Sequence, residues 1–233
     1  MYFFKVIVAK LWYDLFLKYK AKQYAIGHYN AFIEAYSRIR FFEAIKNGPN
    51  KIQITGDSII HIGETWFKKL NLAVSAIGGD TTDSLIRRLA VNIYSWFSQT
   101  LIIHDGGNNL LRGESVDKII GDYKYLLPQL RQNGIINIAI IEVLPLGDPR
   151  TLSDSYDENY KSKIFEANKK IPELNEKLAA LDCTILKVYD KMIDKSTGYR
   201  KVEYVFTDGI HVIGKAYDEI YIPVVKEYLE SVK

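Results

Sequence analysis

The stretch Ile52-Gln53-Ile54-Thr55-Gly56-Asp57-Ser58-Ile59 joins a short apolar run to an abrupt polar tip containing glycine. Such a run, bounded by turn residues, reads as a strand buried on both faces. The same pattern recurs at Leu72 to Ile77, Leu101 to His104, Ile136 to Val143 and Thr184 to Val188, which predicts five strands. Between them lie segments of helical period. One is Asp83 to Ser98, with Leu85, Ile86, Leu89, Ile93, Trp96 and Phe97 on one side, and another is Val116 to Gln132. Glu158 to Leu181 reads as helix too, with Pro172 expected to start a new helix or kink the old one, and Ala216 to Val232 as the last helix. A parallel crossover needs a dozen or more residues, so this alternation predicts an α/β fold: a doubly wound parallel five-stranded sheet with helices on both faces.

Outward from this core, the 233 residues suffice for one domain and an extension. Hydrophobic residues make up 48% and charged residues 25%, the balance of a folded globular chain. A net charge of +3 gives no general polyanion-binding signal, so no nucleic-acid partner is expected. The single cysteine, Cys183, excludes an internal disulfide, a cysteine-based zinc site and an iron–sulfur cluster. Residues 1–50 differ from the rest, with eight lysines and arginines against Asp14, Glu34 and Glu43. Within them Tyr29, Phe32, Ile33, Tyr36 and Ile39 fall at helical spacing, and Asn47-Gly48-Pro49-Asn50 is a stop. The predicted organisation is an N-terminal helical extension, 1–50, before the α/β domain, 51–233. Lys5, Lys10 and Asp14 interrupt the greasy start before a membrane span could form, and no signal-peptide pattern is read. The expectation is a cytoplasmic protein. Its N-terminal helices would cover the domain, pack a second protomer as a homo-oligomer, or lie peripherally on anionic lipid.

In doubly wound sheets ligands sit beyond the carboxyl ends of the strands. There the chain places Gly56-Asp57-Ser58, Gly78-Gly79-Asp80 and Gly106-Gly107-Asn108-Asn109, and the loop before the last helix adds Thr207-Asp208-Gly209-Ile210-His211. This inventory suits acyl transfer. A serine hydroxyl becomes a nucleophile when an imidazole accepts its proton and a carboxylate orients that imidazole, roles open to Ser58, His211 and Asp208. A tetrahedral intermediate needs donors for its oxyanion, which the amides of Ser58 and Gly79 and the carboxamide of Asn108 could supply.

In order and spacing, Gly56-Asp57-Ser58-Ile59, the Gly79 loop, Gly106-Gly107-Asn108-Asn109 and Asp208-Gly209-Ile210-His211 resemble the four blocks of the SGNH hydrolases, the GDSL-type esterases and lipases. The resemblance covers residues 51–233. It implies a flavodoxin-like sheet, Ser58 as nucleophile, Gly79 and Asn108 as oxyanion-hole donors, His211 as base and Asp208 as its orienting acid, with no metal and no cofactor. Asn109 stands where the third block usually has aspartate, Ile59 where the first has leucine, and about 50 residues precede a first block that commonly lies near the chain start.

Other readings of the same residues are weaker. Gly-Asp-Ser alone is an ordinary turn and helix-cap triplet, and Asp208 could merely cap the last helix over a structural His211. His61 reads as structural, His28 as surface or packing, and His104 with Asp105 as either pocket lining or core. Asp57, Asp80, Asp83 and Asp105 suggest a magnesium site, which leaves Ser58, Asn108 and His211 without a joint purpose. Neither phosphate-cradling glycine motif is present. The expected substrate is a small-molecule, lipid or carbohydrate ester. The polar segment Pro145 to Tyr160, read as a lid, leans toward a short acyl group on a polar alcohol, whereas the greasy N-terminus leans toward lipid. A binding protein on the same fold and an acyltransferase using the same residues are the alternative functions.

Overall fold

The computed structural model describes residues 52–91 and 98–232. The predicted extension 1–50, with its helix and stop, lies outside the described residues, as does the tip of the helix expected to reach Ser98.

Strands β1 (Ile52–Gly56), β2 (Ala73–Val74), β3 (Thr100–His104), β4 (Asn137–Ile141) and β5 (Thr184–Leu186) form one sheet in the order β2-β1-β3-β4-β5, all parallel. The order reverses at β1, so the tips of β1 and β3 flank the crevice where ligands bind in such sheets. Strand residues alternate between two cores. Ile54, Ile102, Ala139 and Ile141 face one, with α1 (Ser58–Ile62), α2 (Glu64–Lys69) and the C-terminal helix. Leu101, Ile103, Ile138 and Ile140 face the other, with α3 (Thr82–Val91), α5 (Val116–Gln132) and α6 (Glu158–Ala179). Both faces of the sheet are thus sealed by helices, as a sheet apolar on both faces requires. Helix α4 (Gly107–Leu111) lies in the β3–α5 connection.

Some expected elements differ in extent. Only two residues of the run from Leu72 form β2, because it is an edge strand paired on one side. Beyond it, Ser75 and Ile77 still donate backbone N–H bonds to Ile54 and Gly56. Pro172 neither ends nor restarts a helix: α6 is continuous through it. Pro172 itself is exposed, while Ile164, Ala167, Ile171, Leu174 and Leu178 anchor the buried side of the helix across it. That packing outweighs the ~3 kcal/mol that an internal proline costs. A short helix, α7 (Tyr189–Met192), follows β5, and the last helix runs through α8 (Gly214–Ala216), a π-helical turn (Tyr217–Tyr221) and α9 (Ile222–Ser231). The wide turn immediately precedes Pro223, which cannot donate to the Glu219 carbonyl. A small hairpin, β6 (Ile193–Asp194) with β7 (Tyr199–Arg200), interrupts the path from β5 to this helix.

Candidate active site

The β1 tip is shaped by Gly56. Its φ of +151° is accessible to glycine, and a Cβ there would stand 2.1 Å from the His104 carbonyl oxygen. The chain can therefore hug the neighbouring strand tip, and the Asp57 N–H donates to that same carbonyl at 3.2 Å. Asp57 then caps α1, its Oδ1 accepting from the Ile59 N–H at 2.9 Å, so that Ser58 becomes the first residue of the helix.

Two loops flank Ser58. A Cβ on Gly78 would lie 3.8 Å from the Ser58 Cβ, which measures how closely the Gly78-Gly79-Asp80 loop approaches the hydroxyl. Arg112 holds this loop by donating from Nη2 to the Gly79 carbonyl at 3.0 Å. Asn108, in the first turn of α4, donates from Nδ2 to the Asp80 carbonyl at 2.9 Å. A carboxamide carries two such hydrogens, so this bond orients the group while using one of them.

Asn109 is buried and bridges three groups. Its Oδ1 accepts from the Thr82 N–H at 3.1 Å, and its Nδ2 donates to the Thr82 hydroxyl at 3.0 Å and to Glu114 Oε2 at 2.9 Å. A carboxylate at this position could not donate to Glu114, so the asparagine suits its neighbour.

The fourth block forms a turn closed by the isolated bridge Val205–Val212. Gly209, at φ +76°, lets it fold back so that Asp208 Oδ1 accepts from both the Ile210 and His211 N–H groups at 2.9 Å. Asp208 Oδ2 faces His211 Nδ1 at 2.5 Å, and His211 Nε2 faces Ser58 Oγ at 2.8 Å. The structure thus brings Ser58, His211 and Asp208 into one hydrogen-bonded line across 153 residues of sequence. Asp208 does not cap the last helix, whose N-cap is Ile213.

Burial pushes the Asp208 carboxyl up, yet the bonds from the His211 ring and from the His211 and Ile210 amides prevail and hold it at about 2. The hydrogen bond to Asp208 raises the His211 pKa, burial opposes this, and the charges of Asp208 and Asp57 add to the rise. An imidazole so placed can accept a proton from Ser58 Oγ while the carboxylate stabilises the imidazolium.

Arg200 escaped the sequence reading because an arginine between Tyr199 and Lys201, outside all four blocks, carries no local sign of burial. It is buried, and it donates from Nε to the Pro145 carbonyl at 2.8 Å and from Nη1 to the carbonyls of Ile210 and His211 at 3.0 and 2.8 Å. Burial draws its pKa down to about 10. Tyr160 adds a bond from its hydroxyl to the Asp208 carbonyl at 2.9 Å, and the Gly147 N–H donates to Gly209 at 2.8 Å. The segment read as a lid is therefore tied to the catalytic-type turn it was expected to cover.

The remaining histidines and carboxylates divide clearly. His61 shares α1 with Ser58 and stands beside Gly78, whereas the Ser58 hydroxyl is met by His211. His104 is buried, with Nε2 3.2 Å from the Tyr221 hydroxyl and Nδ1 3.4 Å from Asp57 Oδ1. Among the described residues no three His, Cys, Asp or Glu side chains gather at metal-holding spacing.

No protein-family model matches the chain, and no curated protein matches it in sequence. Solved structures do match in three dimensions. A GDSL-like lipase from Bacteroides thetaiotaomicron VPI-5482 superposes with a TM-score of 0.71 at 18% identity, covering 86% of this chain and all (100%) of that one. A lipase/acylhydrolase from Enterococcus faecalis gives 0.57 at 16% identity, covering 78% and 96%. A member of the lipolytic G-D-S-L family from Veillonella parvula DSM 2008 gives 0.54 at 16% identity, covering 76% and 96%. The chain carries the fold of the GDSL-type lipases and acylhydrolases, the fold that its four sequence blocks implied.

Proposed function

We propose that the protein is a serine-dependent hydrolase of carboxylic esters that works through an acyl-enzyme. The observation that carries this reading is the continuous line Ser58 Oγ, His211, Asp208, with gaps of 2.8 and 2.5 Å. His211 Nε2 takes the Ser58 proton as Oγ bonds to the ester carbonyl carbon, and the carbonyl π electrons move onto oxygen. Ser58 N–H, Gly79 N–H and Asn108 Nδ2 stabilise that oxyanion. The intermediate collapses, the ester C–O bond breaks, and His211 returns the proton to the departing alcohol. Water, deprotonated by the same imidazole, then cleaves the acyl-enzyme to the carboxylic acid and restores Ser58. No metal or cofactor enters this scheme. The names carried by the matched structures, GDSL-like lipase and lipase/acylhydrolase, agree with it. Asn109, which stands where the third block usually has aspartate, is engaged by its bonds to Thr82 and Glu114 and leaves every proposed role occupied. The substrate is an ester; peripheral membrane contact or pairing through residues 1–50 belongs to the segment outside the described residues.

The test is covalent capture by a fluorophosphonate at neutral pH followed by peptide mass spectrometry. Wild type should be labelled on Ser58, and Ser58→Ala and His211→Ala should lose both label and esterase turnover while keeping their fold. Wild-type-like turnover in folded Ser58→Ala rejects the assignment.

A further inference from the structure

A half-open cavity of about 30 Å³ is lined by Ser58 and Asn108 together with Leu111, Val143 and Leu146, and its wall also includes the polar Asp57, His104 and Arg200. At roughly 10–15 Å³ for each water-sized group, it has room for two or three such groups. Ser58 and Asn108 both stand on its wall, so an acyl group carried on Ser58 Oγ would lie beside this space. The longer apolar tail of a lipid ester would extend beyond that volume.

The wall is also fixed. Asn175 and Asn168 lie seven residues apart on α6, about two helical turns, so they face the same way. Both are buried. Asn175 accepts from the Val143 N–H and donates to the Val143 carbonyl, each at 2.9 Å. Asn168 accepts from the Leu146 N–H at 2.8 Å and donates to the Gly198 carbonyl at 2.9 Å, and the Arg200 N–H donates to the Leu146 carbonyl at 2.7 Å. Residues 143 and 146 are therefore each bonded to α6, and 146 to the β7 strand as well. To yield to a longer chain they would have to break buried hydrogen bonds, which leaves polar groups unpaired away from water.

We infer that this cavity is the acyl subsite and that the enzyme selects acetyl-sized acyl groups, with Leu111, Val143 and Leu146 as specificity-determining residues and Asn168 and Asn175 as positioning residues that keep the wall closed. This rests on the serine-hydrolase reading. The experiment measures kcat/KM of the full chain for p-nitrophenyl acetate, butyrate, hexanoate and octanoate, beside fluorophosphonate labelling of Ser58. The expected result is a fall of at least about tenfold from acetate to hexanoate, since one misplaced methylene costs about 10–200-fold in a fitted apolar pocket.

Two variants move the boundary in opposite directions. In Gly107→Ala the added Cβ would stand 3.7 Å from Val143 Cγ1 and 4.0 Å from Asp57 Oδ2, ordinary contacts that narrow the space without a clash. Butyrate should lose about tenfold more than acetate. Leu111→Ala widens the space and should raise the hexanoate-to-acetate ratio about tenfold. Asn175→Ala should raise the same ratio even where its rate falls, a change that lost stability alone does not produce. An optimum at octanoate, or ratios unchanged in Gly107→Ala and Leu111→Ala, overturns the inference and leaves the serine reading standing, as does labelling of Ser58 without turnover of acetate. Absence of both labelling and turnover rejects the serine reading and the inference with it.

Discussion

Asp208→Asn separates the electrostatic role of the carboxylate from its structural one. Asn keeps an Oδ1, so the 2.9 Å bonds from the Ile210 and His211 N–H groups survive and the turn should hold. What changes is the other arm. A carboxamide Nδ2, a donor, then stands where Oδ2 faced His211 Nδ1 at 2.5 Å. Two donors cannot face each other, so the ring takes the tautomer with its proton on Nε2. That nitrogen lies 2.8 Å from Ser58 Oγ and, once protonated, cannot accept the hydroxyl proton. Holding the wrong tautomer costs about 10⁴-fold in kcat in a serine triad. At about 1.36 kcal/mol per tenfold this corresponds to roughly 5.5 kcal/mol of transition-state stabilisation. The assay is kcat and KM for p-nitrophenyl acetate, with thermal unfolding of the same preparations. KM should change little, because the substrate does not touch Asp208. A folded variant within tenfold of wild-type kcat would refute the relay.

Other consequences are equally direct. Asn108→Ala should lower kcat about 10²–10³-fold with a smaller change in KM, because its donor matters most as charge develops on oxygen; an unchanged kcat removes Asn108 from the oxyanion hole. Raised above its ordinary 6.5, chiefly by the Asp208 hydrogen bond, His211 should give kcat/KM a rising limb centred above pH 6.5, where the neutral base forms, and a limb centred below that would contradict the assignment. Asp208, depressed from 3.8 to about 2, contributes stability above pH 3.8 that is lost as pH falls toward 2, so wild type should lose its unfolding advantage over Asp208→Asn in that window. Asn109→Asp would set a second carboxylate against Glu114 at a 2.9 Å contact and should cost about 1–3 kcal/mol for the lost, partly buried bond, read by denaturant unfolding and restored in part by adding Glu114→Gln.

The sequence by itself determined the layered fold and the placement of the candidate site. Apolar runs with polar, glycine-containing tips are local signals, and the run beginning at Ile52 and the helix from Val116 to Gln132 are legible because each element's period is written in its own residues. The three strand tips were readable as one edge of one sheet for the same reason, since parallel connections return every strand's carboxyl end to that side. Tertiary structure alone decided which group answers which. Whether Asp208 caps a helix or orients His211, whether Pro172 breaks α6 or rides its exposed face, and whether Arg200 lies on a hairpin surface or clamps the carbonyls of Pro145, Ile210 and His211 depend on partners distant in sequence. The short β2 and the wall pinned by Asn168 and Asn175 are of the same kind. Backbone donors and acceptors are identical at every residue, so the sequence does not say which of them a buried side chain will satisfy; only the packed chain brings one pair within 3 Å and leaves the others apart.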